Sequence, residues 1–338
     1  MHQRAAKPGV GVRRFTADDL PDVLELLDAS LGGGPAGRRP PEFFRWKHLD
    51  NPFGTSFMLL AERDGRLVGL RAFMRWRLLA GDRVVAAARA VDTATHPDFQ
   101  GKGIFTRLTL AALDEMRGPV DLVFNTPNAK SRPGYLKMGW REVGWVPVAV
   151  RVRRPLRLLR GRRAGADPGQ APTVAAPAAA AVLERGREVA AVLSREPAPA
   201  GLATARDLGY LRWRYGAAPL LGYRAVTEER DGELAGLAIF RLRPRGGLWE
   251  TTVAEVLAGG DPATARRLLR QVARAAPADH LTFRAPAGSA GARAATRSGF
   301  LPSPAGISLV ANPLVPDIRP DPSQLGSWSL SLGDLEVF

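Results

Sequence analysis

A short glycine-containing segment, residues 99–106, has the residue types and spacing of an anion-binding loop. Its sequence is Phe-Gln-Gly-Lys-Gly-Ile-Phe-Thr, and it joins an apolar, strand-like run to the pattern of an amphipathic helix. A strand that turns through glycines into a helix leaves several backbone N–H groups free at the positive end of the helix dipole. Such a site binds phosphate, so we expect a ligand that carries a phosphate group.

Two familiar phosphate-binding loops do not fit this segment. A Walker loop needs Ser or Thr directly after Gly-Lys, whereas Gly103 follows Lys102. A dinucleotide fingerprint needs a third glycine, and position 106 is Thr. The remaining pattern, Gln100-x-x-Gly103-x-Phe105, resembles the pyrophosphate loop of the GNAT family, the acyl-CoA-dependent N-acyltransferases. It departs from that family at Phe105, where GNAT proteins prefer a small residue.

A second motif follows a buried, strand-like run at residues 120–126. Tyr135 comes seven residues after Asn128, and Gly139 comes four residues after Tyr135. This spacing is similar to the Asn, Tyr and Gly-Phe motif of GNAT proteins, and the loop and the motif stand in the family's order. The resemblance covers residues 1–150 and implies an α+β fold, a mixed sheet flanked by helices.

The resemblance implies an acyltransferase whose cosubstrate is acetyl-CoA or another acyl-CoA. The loop amides would bind the pyrophosphate, and the edge of the preceding strand would pair with the pantetheine amides. Tyr135 would be the general acid that protonates the leaving thiolate. The predicted cofactor-binding residues are Thr93, Ala94, Thr95, Gln100, Gly101, Lys102, Gly103, Ile104, Phe105, Thr106, Asn128 and Ser131.

The attacking amine must lose a proton, so a base is expected near Tyr135. Asp92 and His96 are the nearest candidates along the chain, and Glu62 is further away. Each assignment has a structural alternative. A carboxylate in a strand-like run has to be paired, exposed in a cleft or functional. His96 suits a turn, Asn128 suits a helix cap, and Tyr135 suits a packing role.

The composition limits the class of protein. The chain has 338 residues and no cysteine, and its four histidines are scattered, so we expect neither disulfides nor a metal site. There is no run of eighteen apolar residues and no apolar N-terminal segment, which predicts a cytoplasmic protein without a membrane span. The net charge of +15 attracts anions such as CoA or an acidic acyl carrier protein. Residues 151–163 hold seven arginines but no interleaved aromatics, which disfavours nucleic acid as a partner.

An internal repeat relates the two halves of the chain. Residues 45–48 are echoed by 212–215 and residues 62–70 by 229–237, both at an offset of 167. We interpret the halves as tandem GNAT-like domains, each a twisted, mostly antiparallel sheet flanked by helices. The predicted boundaries are a catalytic domain at 1–160, a flexible linker rich in Ala, Pro and Arg at 161–177, and a degenerate copy at 178–338.

The second copy lacks the residues to which chemistry is assigned in the first. By Gly299 the offset has fallen to 160, and we expect the missing residues to come from the loop. The second copy has no Gln-x-x-Gly-x element, and Ala295 stands where the first copy has Tyr135. One cofactor site per chain is therefore predicted.

Further elements follow from local patterns. We expect helices at 177–194 and 264–276 and a final strand within 328–338. The arginines at positions 71, 75 and 77 alternate with apolar residues, which favours a half-buried strand with a solvated arginine face.

Three functions fit the sequence. The first is N-acyl transfer from acyl-CoA to a small-molecule or peptide amine, by a monomer or a homo-oligomer. The second is transfer from a carrier-protein-bound acyl donor. The third is a non-catalytic module that binds CoA or nucleic acid.

Overall fold

The structure, a computed structural model, describes residues 9–31, 40–160 and 169–336. Residues 161–168 of the predicted linker lie outside the described residues. The chain divides into two compact units, each built from separate stretches of sequence. The first unit comprises residues 1–76, 86–142 and 310–318, and the second comprises 77–85, 143–309 and 319–338.

Both halves of the chain contain strands and helices. The strands are β1 (Gly11–Arg14), β2 (Phe57–Arg63), β3 (Arg66–Ala80), β4 (Arg83–Thr95), β5 (Leu122–Asn125), β6 (Arg141–Val152), β7 (Ala203–Thr204), β8 (Arg224–Arg230), β9 (Glu233–Arg245), β10 (Leu248–Leu257), β11 (His280–Phe283) and β12 (Leu301–Pro313). The α-helices are α1 (Leu20–Leu31), α2 (Pro41–His48), α3 (Ile104–Met116), α4 (Arg132–Lys137), α5 (Pro155–Arg160), α6 (Ala179–Leu183), α7 (Gly186–Ser194), α8 (Leu208–Leu211), α9 (Pro262–Ala275), α10 (Ala290–Ala295) and α11 (Leu332–Leu335).

The first unit is a mixed sheet with the strand order β1-β2-β3-β4-β5-β12. β4 and β5 pair in parallel, whereas β1 with β2, β2 with β3, and β5 with β12 pair antiparallel. The amphipathic face of α3 covers this sheet and builds a core with Ile104, Leu108 and Ala112. The strand next to β5 comes from the second half of the chain, since β12 supplies residues 310–313.

The second unit repeats this plan with the strand order β6-β11-β10-β9-β8. β10 and β11 pair in parallel, and α9 supplies the covering helix. Here the strand next to β11 comes from the first half of the chain, since β6 pairs through residues 149–152. Each half of the chain thus lends one strand to the sheet of the other unit.

Matching glycines bring helix and sheet together in both units. A Cβ added to Gly69 would lie 2.7 Å from the Cγ2 of Ile104 on α3, and one added to Gly236 would lie 2.9 Å from the Cγ2 of Thr264 on α9. The hairpin turns predicted at 64–65 and 231–232 are also confirmed, with positive φ at all four residues. The two units share these local features, and the interpretation of the halves as tandem copies stays a prediction.

Three local predictions are corrected or refined. The helix expected at 264–276 is α9, but the one expected at 177–194 is broken into α6 and α7 because Arg185 leaves the helical conformation with ψ at 49°. The final strand is wrong, because a capping box at Ser331 and Asp334 begins the short helix α11 instead. The prediction of a solvated arginine face on β3 holds for Arg77, which is exposed. It is wrong for Arg71, which is fully buried because residues 68–74 are covered on both faces of the strand.

Candidate active site

The loop before α3 has the backbone conformation of an anion site. Gly101 and Gly103 have φ values of 72° and 75°, in the left-handed region that favours glycine. Gly103 is the N-cap of α3, and no side chain caps this helix start. The first-turn N–H groups of a thirteen-residue helix are therefore left for a ligand, at the positive end of its dipole.

A cavity of about 410 Å³ lies against this loop. Seven of the predicted cofactor-binding residues line it: Thr93, Thr95, Gln100, Gly101, Gly103, Ile104 and Phe105. Five do not. Ala94 is buried and is not among the lining residues, Thr106 is exposed on α3, and Lys102 donates to the carbonyl oxygen of Asp98 at 2.7 Å. Asn128 and Ser131 form a local turn described below.

The strand edge beside the cavity is partly free. β4 and β5 pair only over residues 87–89 and 122–124, although β4 continues to Thr95. Beyond Arg89 the described residues of β4 have no ladder partner in β5. The backbone groups of residues 91–95 that point toward β5 therefore have no partner in that strand, which leaves an edge for an extended ligand that contains amides.

Tyr135 is held by a buried arginine. Its side chain is buried, and its phenol oxygen accepts a hydrogen bond from Nη2 of Arg71 at 3.0 Å. Nη1 of Arg71 donates to the carbonyl oxygen of Val91 at 3.2 Å and to Oγ1 of Thr93. Because the phenol oxygen accepts from Arg71, its own O–H is free to donate to another group. Thr93 links this arrangement to the wall of the cavity.

Three aromatic rings enclose the Arg71 guanidinium. Its central carbon lies 4.4 Å from the ring centroid of Phe73 and 5.4 Å from those of Phe105 and Tyr135. Phe105 and Tyr135 also meet edge to face, with centroids 5.8 Å apart. Phe105, the residue that departs from the expected loop pattern, is therefore part of the surroundings of Arg71.

The family comparison agrees with this geometry. Residues 11–143 match the model of the acetyltransferase (GNAT) domain. This stretch is a GNAT domain. It contains the loop, the free edge of β4, Arg71 and Tyr135. GNAT domains transfer acyl groups from acetyl-CoA or another acyl-CoA to amines, so the activity of this stretch is of the acyltransferase type.

Solved GNAT structures share the fold. A GCN5-related N-acetyltransferase from Anabaena variabilis is 11% identical, with a TM-score of 0.61 over 91% of this chain and 73% of that chain. One from Kribbella flavida is 17% identical, with a TM-score of 0.57 over 90% and 71%. Eis1 from Mycobacterium abscessus is 16% identical, with a TM-score of 0.57 over 90% and 74%. No curated protein sequence matches the chain.

Within residues 9–31, 40–160 and 169–336, no helix is both long and apolar enough to cross a membrane. The same ranges hold no group of three or more His, Asp or Glu side chains that could bind a metal ion.

Arg71 is the site residue that sequence reasoning missed. It is fully buried, it has no carboxylate partner among the described residues, and its Nε has no hydrogen-bond partner there. A buried charge without a counter-charge costs several kcal/mol, of which cation–π contacts return part. A signal was present: Arg71 alone interrupts the apolar run at residues 67–74. Its alternation with two further arginines concealed this.

Asp92 lies in a buried ion-pair cluster of the GNAT domain. Its Oδ2 is 2.9 Å from Nζ of Lys47 and 2.8 Å from Nε2 of His48. Nδ1 of His48 in turn lies 2.9 Å from Oγ of Ser56. Asp92 is therefore paired, which is the structural alternative for a carboxylate in a strand. Its role as a base stays a prediction.

His96 and Asn128 take part in local turns. Nδ1 of His96 accepts a hydrogen bond from the Asp98 N–H at 3.3 Å, and its Nε2 lies 2.8 Å from Nη2 of Arg66. Oδ1 of Asn128 accepts from the N–H of Ser131 at 2.9 Å, just before α4. Glu62, the most distant base candidate, is bonded to Arg13 at 2.9 Å. These contacts do not include Tyr135.

At the corresponding helix start in the second unit, the backbone N–H groups donate to carboxylates of the chain itself. Asp261 caps α9, with Oδ1 accepting from the N–H of Ala263 at 2.9 Å and Oδ2 from that of Thr264 at 3.1 Å. Glu196 accepts from the N–H groups of Ala258 and Gly259 just before it. Backbone donors that are free at α3 are thus satisfied at α9.

Proposed function

We propose that the first unit catalyses acyl transfer from acetyl-CoA to the amine of a small molecule or peptide. The observation that supports this best is the uncapped start of α3, which opens onto the cavity of about 410 Å³ beside the free edge of β4. The N–H groups at Gly103 and along the first turn would bind the pyrophosphate. Backbone groups at residues 91–95 would hold the pantetheine arm.

Tyr135 is proposed as the general acid. Acetyl-CoA supplies a thioester, and the amine nitrogen forms a bond to its carbonyl carbon while the carbon–sulfur bond breaks. The Tyr135 O–H donates its proton to the departing sulfur, and the proton released by the amine returns to the phenolate through solvent. The net products are an amide and the free thiol of CoA.

Arg71 is proposed as the residue that positions Tyr135. Its Nη2 fixes the phenol oxygen as an acceptor, so the O–H is directed to the leaving group, and its charge stabilises the phenolate that proton transfer leaves. Arg71 is fully buried and acts through Tyr135 rather than on the substrate.

Calorimetry with acetyl-CoA tests the binding half of the proposal. Gly103→Asp places a carboxylate at the N-cap, as in the second unit, and should weaken binding at least about a hundredfold, a loss of about 3 kcal/mol. Gly65→Asp is the matched control: Gly65 has a φ of 74° and open space at its Cβ, but lies in the β2–β3 turn. Equal binding by both variants, or none by the wild type, would refute the proposal.

A further inference from the structure

The second unit contains a cavity with a largely apolar wall. Its volume is about 310 Å³, at the lower end of the range for ligand pockets. Leu79, Leu193, Val256 and Leu257 form much of the wall, and Glu255 and Arg206 are among the polar groups that face it. The cavity is distinct from the one beside α3, because none of its lining residues belongs to the first unit.

Glu255 uses only one of its two carboxylate oxygens. Oε1 accepts hydrogen bonds from the hydroxyls of Ser331 at 2.7 Å and Tyr215 at 2.9 Å, and from Nε of Arg206 at 3.2 Å. All three of these bonds end on Oε1 and none on Oε2, and Glu255 is only 4% exposed. Glu255 lines the cavity, and Oε2 is the carboxylate oxygen that these three donors do not use.

Carboxylates outnumber basic groups among the side chains that line the cavity. Arg206 also pairs with Asp334, so one guanidinium serves two buried carboxylates. Glu196 adds another carboxylate to the cavity wall. Burial raises the pKa of Glu255, and the nearby Asp334 adds to this effect against the opposing charge of Arg206. The charged side chains that line the cavity are thus two carboxylates, Glu196 and Glu255, and one guanidinium, Arg206.

We propose that this cavity binds a small primary amine with an apolar body, with its ammonium group on Oε2 of Glu255. The ammonium supplies a positive charge and a hydrogen-bond donor, and the leucines and Val256 cover the apolar part. An anionic ligand such as CoA is excluded by Glu255 and Glu196. This inference does not depend on acyl transfer in the first unit.

Calorimetry of the full chain with 2-phenylethylamine tests the site. Glu255→Gln keeps an acceptor for the three donors but removes the charge, and should weaken binding at least about tenfold. Glu250→Gln, which removes another buried carboxylate of the same unit away from this cavity, should change binding by less than about twofold. 2-Phenylethanol, the uncharged analogue, should bind at least about tenfold more weakly than the amine.

A second variant tests the site without changing the buried hydrogen-bond network of Glu255. Ala287 is exposed at the edge of the cavity, so Ala287→Trp should block the entrance without touching Glu255. It should abolish amine binding and leave acetyl-CoA binding unchanged. Amine binding that survives both Glu255→Gln and Ala287→Trp, or no binding by the folded wild type at millimolar amine, would overturn the inference.

Discussion

The helix starts of the two units solve the same physical problem in opposite ways. Both α3 and α9 leave N–H groups that need acceptors. In the second unit Asp261 and Glu196 supply carboxylates, whereas in the first unit Gly103 supplies no side chain. The difference indicates which unit is built to receive an anion, because among the described residues no side chain caps the donors at the start of α3.

At a second pair of corresponding positions the two units are alike. Strand register places Ala87 opposite Leu122 and Glu250 opposite His280 at the start of the two parallel pairings, so β10 follows β4 at an offset of 163. Asp92 then corresponds to Glu255. Both are held by the last residues of a preceding helical segment, His48 in one unit and Tyr215 in the other. A pairing present in both units favours a structural role for Asp92.

The largest expected effect is a loss of catalytic activity that occurs on substitution in the first unit and not in the second. Tyr135→Phe removes the proposed acid and should lower kcat by about 10²- to 10⁴-fold, with acetyl-CoA affinity unchanged. Tyr223→Phe is the matched control, because Tyr223 is a buried tyrosine of the second unit whose hydroxyl bonds Glu336 at 3.0 Å. Steady-state thiol release measures both. A loss of activity in Tyr223→Phe as large as that in Tyr135→Phe would break the assignment.

Arg71→Lys should have the next largest effect. Lysine keeps a charge but cannot hold Tyr135 and Thr93 together with the planar fork of arginine, so kcat should fall about ten- to a hundredfold. A donor with a better leaving group, 4-nitrophenyl acetate, needs less protonation. The defects of Arg71→Lys and Tyr135→Phe should therefore both shrink with this donor, and the double variant should be no worse than Tyr135→Phe.

A purely structural role for Arg71 gives a different pattern. Lost packing would reduce turnover of both donors equally and would add to the effect of Tyr135→Phe. Circular dichroism and thermal melting of Arg71→Lys establish that the comparison is made on folded protein.

The sequence specified the loop, α3 and the hairpin turns because glycine spacing and periodicity are local signals. It could not specify Arg71, since its burial depends on α3 and α4 packing over a strand distant in sequence. It also could not specify the exchange of β6 and β12, which requires pairing across more than a hundred residues. We expected the residues that the second copy lacks to be missing from the loop. Only some of them are, because the offset between the two copies has already fallen to 163 at β10, which corresponds to the strand before the loop.

The free energy of unfolding at low pH should distinguish the two units, because the second unit has Glu250 where the first has Ala87. Burial alone would raise the pKa of Glu250, but the hydrogen bond from His280 and the charges of Arg243 and Arg245 lower it to about 2. A carboxylate whose pKa is lower in the folded than in the unfolded protein stabilises the fold at pH values above its unfolded pKa. This stabilisation is lost as the pH falls through the folded pKa. The stabilisation, on the order of 3 kcal/mol, should disappear between about pH 4.5 and pH 2.

Urea unfolding at several pH values measures this effect. Glu250→Gln should be less stable than the wild type at pH 6, and the difference should vanish near pH 2. A difference that is constant over this range would mean that the side chain contributes shape rather than charge.

The smallest expected effect sharpens the comparison of the helix starts. Asp261→Gly gives α9 the same N-cap residue as α3 and should lower the free energy of unfolding by about 1 kcal/mol or less, because glycine is itself tolerated at an N-cap. Acetyl-CoA should still bind at one site per chain in calorimetry, because Glu196 continues to fill the N–H groups of Ala258 and Gly259. A second site in the double variant Asp261→Gly, Glu196→Gln would show that these carboxylates alone exclude the ligand from the second unit. A second site in the wild type would instead contradict the view that only the first unit receives it.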